Sequence, residues 1–194
     1  MANYEIIRRY ADKLREEFCE TDIATPDDMF RRHDIICIDY DFGKEPDSIK
    51  ALIHKNNRCV CALINQHLST PAKRIVKYHE FFHFYLKHLD QAVCTFRDTE
   101  LTFSNGLNPQ MLMENEANYL LAEYVLDTGE TIEVINNYPL GQAAKRLLVP
   151  TEILKFKCRL LEEQKLIDPQ YRVSFNASSD FMAHIDYGDE YYGE

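Results

Sequence analysis

The segment His79-Glu80-Phe81-Phe82-His83 constrains this 194-residue chain more than any other. In a helix, residues i and i+4 share one face about 6 Å apart, so the two imidazoles can hold one cation between them. Glu80 is rotated by about 100° from His79, off the ligand line yet within reach of a water beside the cation. A polarised water with a base beside it is what metal-assisted hydrolysis requires. Chance alone gives roughly 0.02 matches to H-E-x-x-H in a chain of this composition. The motif is surrounded by Ile75, Val76, Phe81, Phe82, Phe84, Tyr85 and Leu86, which predicts a buried helix. Polar groups buried there need a partner, and one metal ion would serve. The bland alternative is a chance pattern on a partly exposed helix.

A hydrolytic zinc site takes three protein ligands and leaves a fourth position for water. The third ligand must come from elsewhere. His88 is tempting, but nine residues after His79 it stands half a turn out of phase if the helix continues that far; we read it as structural, or as lying behind the ligands. The next helix offers Glu114, Glu116 and Glu123. With Met113 at 0°, the apolar arc of Met113, Ala117, Leu120, Leu121 and Tyr124 centres near about 20°. Glu114 then falls at about 100°, Glu116 at about 300° and Glu123 at about 280°. Periodicity does not choose between them, and each could equally be a solvated helix edge.

Around these two segments the chain reads as α+β: a small mixed or antiparallel sheet packed on the H-E-x-x-H helix, the rest mostly helical. Ile7, Tyr10, Ala11, Leu14 and Phe18 recur at helical spacing in 4–18, and Thr25-Pro26 opens a second helix. Strands are predicted over 35–40, 49–54 and 58–65, with Asn56-Asn57 as a hairpin turn between the last two. Thr70-Pro71 opens a helix to about Leu89, 90–107 reads as a polar loop, and Asn108-Pro109 opens a helix to about Leu126, stopped by Asp127-Thr128-Gly129. Helices near 141–148 and 151–165 follow. The predicted organisation is a catalytic domain over 1–139, a helical subdomain resembling a helix-turn-helix over 140–185, and an acidic tail over 186–194.

His79-Glu80-x-x-His83, followed 33 residues later by Asn115-Glu116-Ala117-Asn118, resembles the ImmA/IrrE family of metallopeptidases. Ser69-Thr70-Pro71-x-x-Arg74, Ala62-Leu63-Ile64-Asn65 and the helix pair beginning at Gln142 extend the resemblance over roughly residues 33–166. It departs at Phe82, where the family has glycine, and at Tyr124-Val125-Leu126-Asp127, where the family has Leu-Leu-Met-Pro. The resemblance implies a zinc endopeptidase whose metal is held by His79, His83 and Glu116, with Glu80 as the catalytic base. It implies an edge strand carrying Cys61, Leu63 and Asn65 on which a peptide is laid as an added strand. An oxyanion-stabilising side chain is then sought among His88, Tyr78, Tyr119, Tyr124 and His67. Two histidines and a carboxylate also accept Mn²⁺ or Fe²⁺. The implied substrate is a helix-turn-helix repressor of a phage, a mobile element or a stress response. The competing reading is a metal-containing binding module without catalysis, an anti-repressor or a toxin–antitoxin-like partner; the intact Glu80 weighs against it.

Charge and composition set the remaining bounds. The net charge is −10, which argues against a broad nucleic-acid surface. Lys145, Arg146, Lys155, Lys157 and Arg159 therefore read as the charged faces of a packing helix pair, and not as a DNA-binding device. No apolar run approaches the ~18 residues of a membrane span, and the first residues do not resemble a signal peptide, so a cytoplasmic location is expected. The six cysteines read as reduced thiols; Cys59-Val60-Cys61 lacks the spacing and the second pair of a zinc ribbon.

Overall fold

The computed structural model describes residues 4–18, 25–45, 48–90 and 109–168. The expected loop 90–107 (save Asp90), the acidic tail, and Cys19 and Cys94 lie outside them.

Helix α1 (Tyr4–Phe18) buries Ile7, Ala11, Leu14 and Phe18 along one stripe, while Tyr10 stays partly exposed. Helix α2 (Pro26–Arg32) is capped by Thr25, whose hydroxyl accepts from the Asp28 amide at 3.2 Å. Three strands follow: β1 (Ile35–Tyr40), β2 (Ala51–Lys55) and β3 (Val60–Asn65). Their order is β1-β3-β2, with β1 parallel and β2 antiparallel to β3. The sheet is therefore mixed, and the fold is α+β. The β2–β3 hairpin turns at Asn56, whose side-chain oxygen accepts from the amides of Arg58 and Cys59 at 2.8 and 2.9 Å.

β3, read from the sequence as an edge strand for substrate, is the central strand. Both of its hydrogen-bonding edges are occupied, so no peptide can be added along Cys61, Leu63 and Asn65. Asn65 is instead a buried brace. Its amide donates to the carbonyls of Gly43 and Ile49 at 2.9 and 3.0 Å, and its oxygen accepts from the His67 amide. Gly43 sits at φ +90°, a conformation that favours glycine, where the chain turns out of β1.

Helix α3 (Thr70–Tyr85) is capped by Ser69 and packs on β2 and β3. It ends four residues earlier than its apolar pattern suggests. Lys87 adopts φ +61° and turns the chain into a short 3-10 segment, His88–Asp90. Lys55 at the end of β2 pairs with Asp90, and Lys73 and Lys77 pair with Asp39 and Asp27. These ion pairs tie α3 and the turn after it to the sheet and to α2.

Helix α4 (Pro109–Val125) packs against α1, α3 and α7, so residues 117–124 are buried on every side. Asp127, read as part of a stop, does more. Its side chain accepts from the Glu130 amide at 2.9 Å and caps a further helix, α5 (Thr128–Asn137), which the sequence reading passed over. Helices α6 (Leu140–Arg146) and α7 (Thr151–Glu163) follow, and Ile153, Leu154, Phe156 and Leu160 of α7 join the same apolar cluster as the sheet and α3. Four of the five basic residues named for this pair are engaged within the fold. Lys157 is fully buried against Glu123 and Thr128, Lys155 pairs with Glu152, Arg159 with Glu163, and Arg146 lies 3.8 Å over the Tyr138 ring.

Candidate metal centre

The second half of α3 carries two adjacent stripes. Tyr78 and Phe82 form one, stacked on each other at 6.2 Å and packed against Tyr124 of α4. Phe82 thus fills the α3–α4 interface. His79 and His83 form the other stripe, each 1% exposed, with ring centroids 4.6 Å apart. Glu80, on the far side of the histidine stripe from the aromatic one, is 3% exposed.

The carboxylate that meets the histidines is Glu114. Its Oε2 lies 3.1 Å from His79 Nε2 and 3.4 Å from His83 Nε2, and the two Nε2 atoms are 2.9 Å apart. Four tetrahedral ligands at about 2.0–2.1 Å from zinc would be spaced about 3.3 Å from one another. The three atoms form a triangle of nearly that size, and the donor set, two imidazoles and a carboxylate, suits a divalent cation. Among the described residues this is the one group of three or more histidine, cysteine or acidic side chains close enough to hold a metal.

Glu116, expected as the third ligand, lies elsewhere. Its Oε2 is 3.2 Å from His88 Nε2 and its side chain is 40% exposed. Two residues along a helix rotate a side chain by about 200°, so Glu114 and Glu116 cannot both face α3 from the same line. His88 comes closer than helical phase would allow, because α3 has already ended. The left-handed turn at Lys87 brings His88 back, with its Nδ1 3.0 Å from His83 Nδ1.

Electrostatics follow from burial. Desolvation lowers the His83 imidazole's affinity for a proton and pushes His88 down to about 3, so His88 is neutral at physiological pH. Burial also opposes the charge of Glu114, but the two imidazoles beside it outweigh that effect and hold its carboxyl below the usual range. Burial raises Glu116.

The tyrosines are engaged in packing: Tyr78 as above, and Tyr119 edge-on against Phe156 of α7 at 5.4 Å. His67 pairs with Asp41 at 2.9 Å. Cys37, Cys59, Cys61 and Cys158 are free thiols, and burial pushes Cys37 and Cys158 up to about 11, which leaves them unreactive.

A family model for peptidases, described as the IrrE N-terminal-like domain, matches residues 31–177. The chain belongs to the ImmA/IrrE metallopeptidase family. No curated protein and no solved structure matches it. The family match spans the sheet, both helices of the His79–His83–Glu114 group, and the α6–α7 pair. The chain is thus a peptidase by family, with a buried donor group that suits the family's metal. No helix among the described residues is long and apolar enough to cross a membrane.

Proposed function

We propose that this ImmA/IrrE-family chain is a zinc endopeptidase that cleaves a helix-turn-helix repressor, with His79, His83 and Glu114 as metal ligands and Glu80 as general base. The observation that carries the reading is the triangle of His79 Nε2, His83 Nε2 and Glu114 Oε2, with sides of 2.9–3.4 Å. A divalent ion held there would supply Lewis acidity, making water a nucleophile near neutral pH and polarising a peptide carbonyl.

The chain's own residues do the rest. His79 and His83, one helical turn apart on α3, offer their Nε2 lone pairs from one side, and Glu114 closes the set from α4. The imidazoles of His83 and His79 outweigh burial and hold the Glu114 carboxyl below its usual range, so its charge is retained for the metal. Glu80 follows His79 on the same rigid helix, takes a proton from the attacking water and passes it to the leaving amine. The aromatic packing of Tyr78, Phe82 and Tyr124 fixes α3 against α4 and so sets the spacing of the three donors.

The substrate class rests on the family resemblance. Charge agrees with it: a chain of net charge −10 attracts a basic DNA-binding protein and speeds its approach. The test is to measure metal per chain, then incubate the zinc-loaded protein with helix-turn-helix repressors from its source. One zinc and one discrete cut are expected, with cleavage abolished by a chelator and by Glu80→Gln, which keeps its metal. Cleavage by Glu80→Gln at the wild-type rate would overturn the assignment of the base.

A further inference from the structure

We propose that His88 and Glu116 are positioning residues that fix the ring of His83 and the nitrogen it offers to the metal. The proposal rests on the metal-centre reading above and extends it outward by two residues.

His83 presents its two ring nitrogens in opposite directions. Nε2 belongs to the donor triangle, and Nδ1 lies 3.0 Å from His88 Nδ1. The other nitrogen of His88, Nε2, lies 3.2 Å from Glu116 Oε2. A neutral imidazole has one N–H and one lone pair. If His83 offers the lone pair of Nε2 to a cation, its proton is on Nδ1 and donates to His88 Nδ1. His88 must then carry its own proton on Nε2, where it donates to the Glu116 carboxylate. Each donor meets an acceptor, and the chain ends on a side chain open to water. The opposite polarity would leave a proton on His83 Nε2, in the space the cation would occupy. An acidic terminus therefore selects the tautomer that binds metal.

Backbone strain marks the same device. Lys87 is a non-glycine residue at φ +61°, a conformation that costs roughly 1–2 kcal/mol. That turn is what returns His88, itself 1% exposed, to the underside of His83. Helix α4 then serves the centre twice: Glu114 faces the donor triangle, and Glu116, from another line of the helix, closes the chain behind His83.

The test uses the full-length protein and zinc affinity by chelator competition, with the visible absorption of the Co²⁺-substituted protein as a second readout. His88→Phe keeps a ring but removes both hydrogen-bonding atoms, and is expected to weaken zinc binding about 10- to 100-fold. His88→Gln, which can accept from His83 and donate to Glu116, is expected to recover most of that loss. Glu116→Ala is expected to weaken binding about 10-fold; being partly exposed, this residue can be truncated without unfolding the chain. The double variant His88→Phe/Glu116→Ala is expected to bind no more weakly than His88→Phe alone, because Glu116 acts through His88. The Co²⁺ spectrum should shift in His88→Phe and Glu116→Ala and return in His88→Gln. Unchanged affinity and spectrum in Glu116→Ala, or strictly additive losses in the double variant, would overturn the chain while leaving the metal centre standing. A wild-type protein that takes up no metal would overturn the metal centre and this proposal with it.

Discussion

Lys157 is the residue whose replacement tests the packing of this fold most sharply. Its side chain is fully buried, and its ammonium donates to Glu123 Oε2 at 3.0 Å and to Thr128 Oγ1 at 3.1 Å. Burial lowers its proton affinity, opposed by the Glu123 carboxylate. The pair joins α7 to α4. Lys157→Met preserves most of the aliphatic volume, so little of the loss comes from a cavity; the cost is the Glu123 charge left buried without its partner. Such a charge costs about 3–5 kcal/mol. In a chain of this size that is a fall in Tm of roughly 6–20 °C. Replacing both partners, Lys157→Met with Glu123→Leu, removes the stranded charge, and is expected to return stability to the wild-type value or exceed it by about 1–4 kcal/mol. Urea unfolding followed by circular dichroism reads the difference, provided the slope m is the same for each variant. A Lys157→Met midpoint within about 0.5 kcal/mol of wild type would refute the reasoning, because a lysine that can be lost so cheaply is not a buried ion-pair partner.

Two smaller tests address the turns that the chain depends on. Asp127→Ala removes the cap of α5 and is expected to cost about 0.5–2 kcal/mol. The Glu130 amide lowers the Asp127 carboxyl, so the cap's contribution is complete above the ordinary carboxylate range and is lost as pH falls through the lowered value; urea midpoints of wild type and Asp127→Ala should converge on acidification, and a gap independent of pH would contradict this. Lys87→Gly relieves the left-handed strain while loosening the unfolded chain and is expected to be nearly neutral in thermal melts, whereas Lys87→Val should cost about 1–3 kcal/mol; equal stability of the two variants would show that no strain resides at this turn.

How far the sequence could be read depended on whether a local pattern decided the feature. Thr25-Pro26 and Ser69-Thr70-Pro71 start helices through their own side chains, and Asn56 closes a hairpin through its own amide, so these are legible from a few residues. Strand order is not local. The positions of Cys61, Leu63 and Asn65 between two partners follow from β1 running parallel to β3, a crossover that no residue in β3 announces. The approach of His88 to His83 is hidden because helical phase does not carry past a helix that ends at Tyr85, and the cause, a lysine in the left-handed region, has no signature in residue type. Helix α5 was hidden because Asp127-Thr128-Gly129 satisfies two grammars at once: it ends one helix and caps the next.

Periodicity left Glu114, Glu116 and Glu123 open, and the resemblance alone pointed to Glu116, for a different reason. Setting polar residues against an apolar arc presumes a helix with one wet side, yet α4 lies between α1, α3 and α7. Over residues 117–124 the helix is buried all round, so the arc through Ala117, Leu120, Leu121 and Tyr124 marks no wet side. The useful question is which polar residues it tolerates, since each must have a partner inside the protein. Glu114 and Glu123 are both nearly fully buried, and each meets cationic or metal-binding side chains: His79 and His83 for the first, Lys157 for the second. They lie nine residues apart, about 13.5 Å along the helix. One end of α4 is thus tied to the H-E-x-x-H helix by a group that can hold a metal, and the other to α7 by an ion pair. The same strut that brings Glu114 to the two histidines is held in place by a charge buried far from it, so the position of Glu114 depends on the whole helical layer and not on the H-E-x-x-H segment alone.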